Sequence, residues 1–215
     1  MSELITYRGG SCGDFIRLLL SNAKYVIDDM GKITHIEFDD YTRTVRHLIE
    51  LRDSIDSIIE KTIKLKNKSK LRTDFLTSHD YHVFIERFGN SSEFFRFINE
   101  VGIHRVLYIA VTTEKSNKLR TYNSLIKNQG KNLDECAEHF DKYNIYHLEQ
   151  YQREYKFFLD SKRENDIILE LECIYDKEYL RNFLLEHYNW SDTNYDAVYD
   201  YYMSKQPIRR LTWVK

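Results

Sequence analysis

Apolar positions along the chain switch between two spacings, and the switches mark out the elements. Leu4-Ile5-Thr6-Tyr7 is a short strand-like run, followed by Arg8 to Asp14 as a tight loop. Phe15-Ile16-Arg17-Leu18-Leu19-Leu20 then opens a helix that is apolar almost all round, which marks burial. Lys32 to Phe38 alternates weakly, as a short strand or an extended loop. From Tyr41 to about Lys66, Val45, Leu48, Ile49, Ile55, Ile58, Ile59 and Ile63 recur at helical spacing among charged residues, and the spacing predicts one long amphipathic helix. A strand is expected over Asp74 to His79, and a helix capped by Ser91 or Ser92 carries Phe94, Phe95, Phe97 and Ile98. Arg105 to Val111 is a continuous run of β-branched and aromatic residues, the pattern of a central strand covered on both faces.

The second half is mostly helical. Ser116 to Asn128 places Leu119, Tyr122 and Ile126 on one side, and Asp134 to Leu159 carries Phe140, Tyr143, His147, Tyr151, Tyr155 and Phe158. Those steps of three and four residues draw an aromatic stripe, read as core packing or a helix–helix seam rather than a base-stacking surface. Asp166 to Tyr175 alternates like a half-buried strand. Asp176 caps a helix with Leu180, Phe183, Leu184 and Tyr188, and Ser191 or Asp192 caps a last one with Tyr195, Val198, Tyr199 and Tyr202, stopped before Pro207. Strand–loop–helix units in succession imply an α/β fold: a parallel sheet with helices on both faces and ligands at the strands' carboxyl ends. The reading is one domain over residues 1–215, with a helical insertion at about 41–70 and a helical elaboration at about 134–160.

Composition narrows the function classes. Charged residues make up 31% of the chain but nearly cancel, leaving a net charge of -2. Neither nucleic acid nor an anionic membrane is therefore an expected partner. The basic run Lys61, Lys64, Lys66, Lys68, Lys70 and Arg72 is read as the solvated end of a helix, with a polyanion contact as the other reading. The three cysteines, at 12, 136 and 173, show no paired spacing, and no apolar run approaches a membrane span. A soluble, cytoplasmic protein is expected, without disulfides. His35, His47, His104, His139, His147 and His187 form no i, i+4 ligand pair with a carboxylate, so no metal is expected.

The densest chemistry lies in the first loop. Three of the chain's seven glycines, Gly9, Gly10 and Gly13, flank Ser11 and Cys12, with Asp14 next. A strand feeding a glycine-rich turn into a helix N-terminus directs backbone N–H groups and the positive end of the helix dipole at one spot, an anion site. The plainer reading is a turn closing a strand–helix connection. The loop is not a Walker A sequence: with Gly13 as its second glycine, Asp14 and Phe15 stand where the lysine and hydroxyl belong. ATP or GTP hydrolysis is disfavoured by that, while binding of a phosphate or sulfate ester is not. Asp14 also reads as a capping carboxylate.

Gly10-Ser11-Cys12-Gly13-Asp14-Phe15, Thr77-Ser78-His79 at a strand end, and Arg105-Val106-Leu107-Tyr108-Ile109-Ala110-Val111 come in the order found in the P-loop sulfotransferase family, which the chain resembles. The likeness is to its small, divergent viral and marine microbial members, implying the cytoplasm of the cell or of an infected host. It implies a P-loop fold that binds 3′-phosphoadenosine 5′-phosphosulfate on residues Gly9 to Asp14. It further implies transfer of a sulfuryl group to a hydroxyl acceptor, a small molecule or glycan, with His79 as the base and Arg8 on the transferring group. Departures are visible. Gly10 stands where the family carries its lysine, and Val111 and Leu119 stand where its 3′-phosphate ligands fall; Arg120 and Ser124, or Lys115 and Lys118, are the nearby substitutes. Two other classes stay open: a catalytically degenerate binding or interaction protein, pairing as a homodimer through its aromatic-rich helices, and a nucleotide kinase-like enzyme.

Overall fold

The computed structural model describes residues 2–8, 10–20, 25–29, 33–36, 54–68, 75–78, 91–188 and 195–206. Its centre is a four-stranded, all-parallel sheet of β1 (Ser2–Thr6), β4 (Phe75–Ser78), β5 (Ile103–Ala110) and β6 (Ile167–Glu170), in the order β4-β1-β5-β6. A separate two-stranded antiparallel sheet pairs β2 (Tyr25–Ile27) with β3 (Ile33–Ile36). The helices are α1 (Gly13–Leu20), α2 (Ile55–Lys68), α3 (Ser91–Val101), α4 (Glu114–Gln129), α5 (Leu133–Ser161), α6 (Lys177–Tyr188) and α7 (Tyr195–Ser204).

The sheet has the sidedness its sequence predicts. Ile5, Leu107, Ile109 and Leu169 belong to one buried cluster with side chains of α1, α4, α6 and α7. The alternate residues Leu4, Val106, Tyr108 and Ala110 belong to a second, with α2 and α3. Period-two alternation thus sends successive side chains into two cores, and helices cover both faces. Helix α5, 29 residues and so about 43 Å long at 1.5 Å per residue, serves both: Cys136, Phe140 and Tyr151 pack in the first cluster and Phe158 in the second.

Boundaries follow local chemistry. Thr113 and Ser116 form a capping box at the start of α4, and Asn132 and Glu135 form another at α5. Gly130 ends α4 at φ 64°, a left-handed position suited to glycine. The Asp176 carboxylate accepts the Tyr179 N–H at 2.9 Å, opening α6 as expected. Helix α3 begins at Ser91, so Ser91 and Ser92 both lie inside its first turn rather than before it. The strand expected over Asp166 to Tyr175 stops at Glu170, and Leu171–Tyr175 is a 3-10 turn instead. Leu171 and Ile174, three residues apart, are its buried pair, a spacing that one turn of 3-10 helix places on one side. The single helix expected from Tyr41 to about Lys66 is not continuous through Ser54: α2 starts at Ile55, where the Ser54 hydroxyl accepts the Ser57 N–H at 3.2 Å as a cap. Residues 41–53, and the cap expected at Ser191 or Asp192, lie outside the described residues.

The amino edge of the sheet is closed by charge. Arg105 donates to both oxygens of Glu3, at 2.9 and 2.7 Å, and to the His187 carbonyl at 2.8 Å. Its guanidinium also covers the Tyr188 ring at 4.2 Å. One side chain thereby joins β1, β5 and the end of α6, which leaves the carboxyl edge as the open side for chemistry.

Phe158 tests how far α5 holds the second core. It is 1% exposed and stacks on Tyr108 with ring centroids 4.8 Å apart. Phe158→Ala should cost about 3–5 kcal/mol, read as a lowered urea midpoint with an unchanged slope.

Candidate functional site

The strand order sets the place. Counting only the parallel strands, the first lies between the second and the third, and the fourth flanks the third. The chain leaves β1 toward one edge of the sheet and leaves β5 toward the other, so a crevice opens between their carboxyl ends. In open parallel sheets such a switch point is where ligands bind. Tyr7, Arg8 and Gly10 to Gly13 lie there after β1, Val111 to Thr113 after β5, and Leu171 to Tyr175 after β6. Ser78 ends β4 at this same edge, opposite Thr6, while His79 and Gly9 lie outside the described residues.

The glycines of the loop serve the protein's own packing. Gly10 has φ 90°, and a Cβ there would come within 2.5 Å of the Arg120 carbonyl and 3.3 Å of Ser124 Cβ. The loop is therefore pressed onto the backbone of α4. A Cβ on Gly13 would run into the Tyr7 ring. Asp14, in the first turn of α1, accepts a 2.9 Å hydrogen bond from the Tyr7 hydroxyl. The dipole of α1 thus already has a carboxylate beside it.

Cys12 starts α1, its carbonyl accepting from the N–H groups of Phe15 at 3.0 Å and Ile16 at 3.2 Å. It holds φ 59°, uncommon for a residue with a side chain. Its Sγ lies 3.4 Å from the Tyr175 hydroxyl. Asn123 of α4 donates to that hydroxyl at 2.7 Å and to the Gly10 carbonyl at 3.2 Å. Burial pushes the Cys12 thiol up, outweighing hydrogen bonds from Tyr175 and Tyr202 that act the other way. A buried thiol held protonated is a poor nucleophile, so this network fixes the loop's shape. Phe15 stacks on Tyr202 at 4.0 Å, which seats α7 against the same side.

The other side of the loop carries charge. Arg8 is joined to Glu154 of α5 by an Nε–Oε2 hydrogen bond of 3.0 Å and a second bond from its Nη2 to Oε1. The side chains of this pair are 17% and 5% exposed. Arg8 lies 5.3 Å and Arg120 5.0 Å from the centre of the same Tyr151 ring. No carboxylate pairs with Arg120 among the described residues. Burial pulls Arg120 down from the ordinary arginine range, with Tyr151 opposing. Its Nε is buried without a hydrogen-bond partner among the described residues, as are Thr6 Oγ1, Ser11 Oγ and Asn123 Oδ1. Four unsatisfied polar atoms therefore border one short loop, and buried polar groups are ordinarily satisfied. Three of them can donate to an anion: the Thr6 and Ser11 hydroxyls and the Arg120 Nε–H.

Glu154, Tyr151, Asn123 and Tyr175 were not legible as site residues. Glu154 carried a faint signal: it falls between Tyr151 and Phe158 on the apolar stripe of α5, where a carboxylate needs a cation. Among the described residues no helix is long and apolar enough to cross a membrane, and no group of three or more metal-ligating side chains occurs. Comparison with protein-family models finds no match, and comparisons with curated proteins and with solved structures find none either.

Two substitutions follow. Glu154→Gln should cost about 3–5 kcal/mol by leaving a desolvated guanidinium unpaired, and Glu154→Gln with Arg8→Met should recover much of that in chemical denaturation. Gly13→Ala should destabilise by more than Gly130→Ala in the same assay, since nothing lies within 4 Å of a Cβ on Gly130.

Proposed function

We propose that the carboxyl-edge crevice binds a sulfate or phosphate ester, and that the protein acts as a sulfotransferase-like enzyme on 3′-phosphoadenosine 5′-phosphosulfate. The observation that carries the binding step is Arg120: a desolvated guanidinium without a carboxylate among the described residues, on the stretch of α4 pressed against the loop that carries Ser11, whose hydroxyl is unsatisfied like that of Thr6. An anion there would supply the missing hydrogen bonds and the missing countercharge together. Because Asp14 already occupies the start of α1, the charge comes from Arg120 and the donors from the hydroxyls.

In this reading Ser11, Thr6 and Arg120 hold the anionic group, and Ser124, against Gly10, keeps the loop at its distance from α4. When bound, the donor supplies a sulfuryl group that passes to the acceptor oxygen as its bond to the 5′-phosphate breaks. His79, one residue beyond the carboxyl end of β4, takes the acceptor's hydroxyl proton. Arg8 acts through Glu154 and Tyr151 as a positioning residue, since its charge is already matched. Transfer of this kind depends mainly on positioning and electrostatics, which these groups supply.

A second reading is a binding protein of the same fold without transfer chemistry. The engaged state of Arg8 favours it, because the guanidinium expected on the transferring group is already matched by Glu154. Tyr143, Ile145 and Tyr146, exposed along the middle of α5, are then the surface on which two copies would pair.

Adenosine 3′,5′-bisphosphate should raise the melting temperature of the wild type at sub-millimolar concentration. Arg120→Met should weaken that binding about 10–100-fold, the worth of a hydrogen bond to a charged group. In a labelled-sulfate assay over mixed hydroxyl acceptors, His79→Ala should lower turnover about 10²–10⁴-fold with nucleotide affinity unchanged. Nucleotide binding with no transfer in the wild type would select the second reading; no binding at all would remove both.

A further inference from the structure

The aromatic stripe of α5 continues past the core. His139, Tyr143, His147 and Tyr151 follow one another at four-residue steps, with successive ring centroids 4.7, 5.9 and 6.0 Å apart. At the inner end Tyr151 is 2% exposed and lies beside Arg8 and Arg120. At the outer end Tyr143 is 36% exposed, and both histidines are only partly buried. A row of rings thus leads from the unmatched guanidinium to solvent.

The charges along this row are unbalanced. His147 is faced by Arg120 from α4, by Arg8 from the loop after β1, and by His139, Tyr143, Tyr146 and Tyr151 from its own helix. His139 is faced by Arg120, by Lys131 before α5 and by Lys142 one turn on. Of the carboxylates at helical spacing along this side of α5, Glu154 is bound to Arg8, and Glu135, one turn before His139, accepts the Asn132 N–H of the capping box; Glu138, Asp141 and Glu149 lie on the exposed side of the helix. We propose that this strip is the outer half of the ligand site: it receives a second anionic group, on a ligand whose two anionic groups are separated by a ring system. Its hold tightens as His139 and His147 take up protons. The proposal rests on the reading above that Arg120 takes the first anionic group.

The direction of the pH effect follows from what surrounds the two rings. Burial first, and then the positive neighbours, hold His139 and His147 below the ordinary histidine range, so both are neutral at pH 7. A bound anion reverses the contribution of the neighbours and raises both, so binding takes up protons. By linkage the affinity must rise as pH falls. Each full unit by which a histidine is raised corresponds to a tenfold gain once it is protonated.

Naphthalene mono- and disulfonate are suitable probes, because their charges do not change between pH 8 and pH 6. Fluorescence titration of the wild type should show the disulfonate gaining about tenfold in affinity over that range, and the monosulfonate much less. In His139→Gln with His147→Gln that gain should vanish while monosulfonate affinity stays. Nuclear magnetic resonance of the histidine rings in wild type gives an independent measure: adding the disulfonate should raise the midpoint of both titrations. A disulfonate advantage that is independent of pH, or unmoved histidine midpoints, overturns the proposal. Loss of both probes in Arg120→Met with unmoved midpoints in wild type would leave the inner site standing and remove this strip. Failure of either probe to bind the wild type would remove both.

Discussion

The carboxyl edge of the sheet is organised around the ion pair between Arg8 and Glu154. The residues are far apart in sequence, and their pairing fixes the loop after β1 against the middle of the 29-residue helix α5. Taking two charges out of water is costly, and the pair is retained only because two hydrogen bonds and a neighbouring ring satisfy it. Once it is in place, Tyr151 stands beside Arg8 and Arg120, and the helix can run on to deliver Phe158 to the opposite core. Long-range polar pairing of this kind specifies register: α5 moved by one residue would bury Glu154 without a cation.

The same edge shows why a glycine-rich loop need not be a ligand cradle. Gly10 and Gly13 lack side chains because the Arg120 carbonyl and the Tyr7 ring occupy that space. Their freedom goes into tight internal packing, which then places Ser11, fully buried, where its hydroxyl has no partner among the described residues. The loop's shape is enforced from one side by the Cys12, Tyr175 and Asn123 network and from the other by Arg8. What remains unmatched between these two supports is Arg120. Rigid supports around unsatisfied groups are the arrangement a binding site requires, since its donors must be fixed before the ligand arrives.

Much of the fold was legible in the sequence, because it depends on periodicity. Arg105 to Val111 reads as a central strand since every residue from Val106 onward is buried. The cap at Asp176 follows from local hydrogen bonding that any chain would use. The 3-10 turn over Leu171–Tyr175 was missed because alternation of short apolar residues fits a strand as readily as a tight turn. The site was legible only in part, for a different reason. Arg8, Ser11 and Arg120 stand out by residue type, but the partner of Arg8 lies on an element whose packing no local rule predicts. Whether a glycine faces a ligand or its own chain is likewise a tertiary property.

Arg8 and Arg120 share one aromatic ring, and among the described residues only Arg8 is paired with a carboxylate. That difference divides the labour between them. A guanidinium already bound to Glu154 offers an incoming anion little net attraction, because the field of a close pair falls off faster than that of a single charge. Arg120 keeps its full field, and burial around it lowers the local dielectric, which strengthens attraction to any anion that reaches it. The partly exposed histidines beyond Tyr151 then extend this field outward along α5, in proportion to their protonation. One matched pair for structure, one unmatched charge for binding and a titratable margin follow from a single placement: Glu154 on the inner face of a long helix.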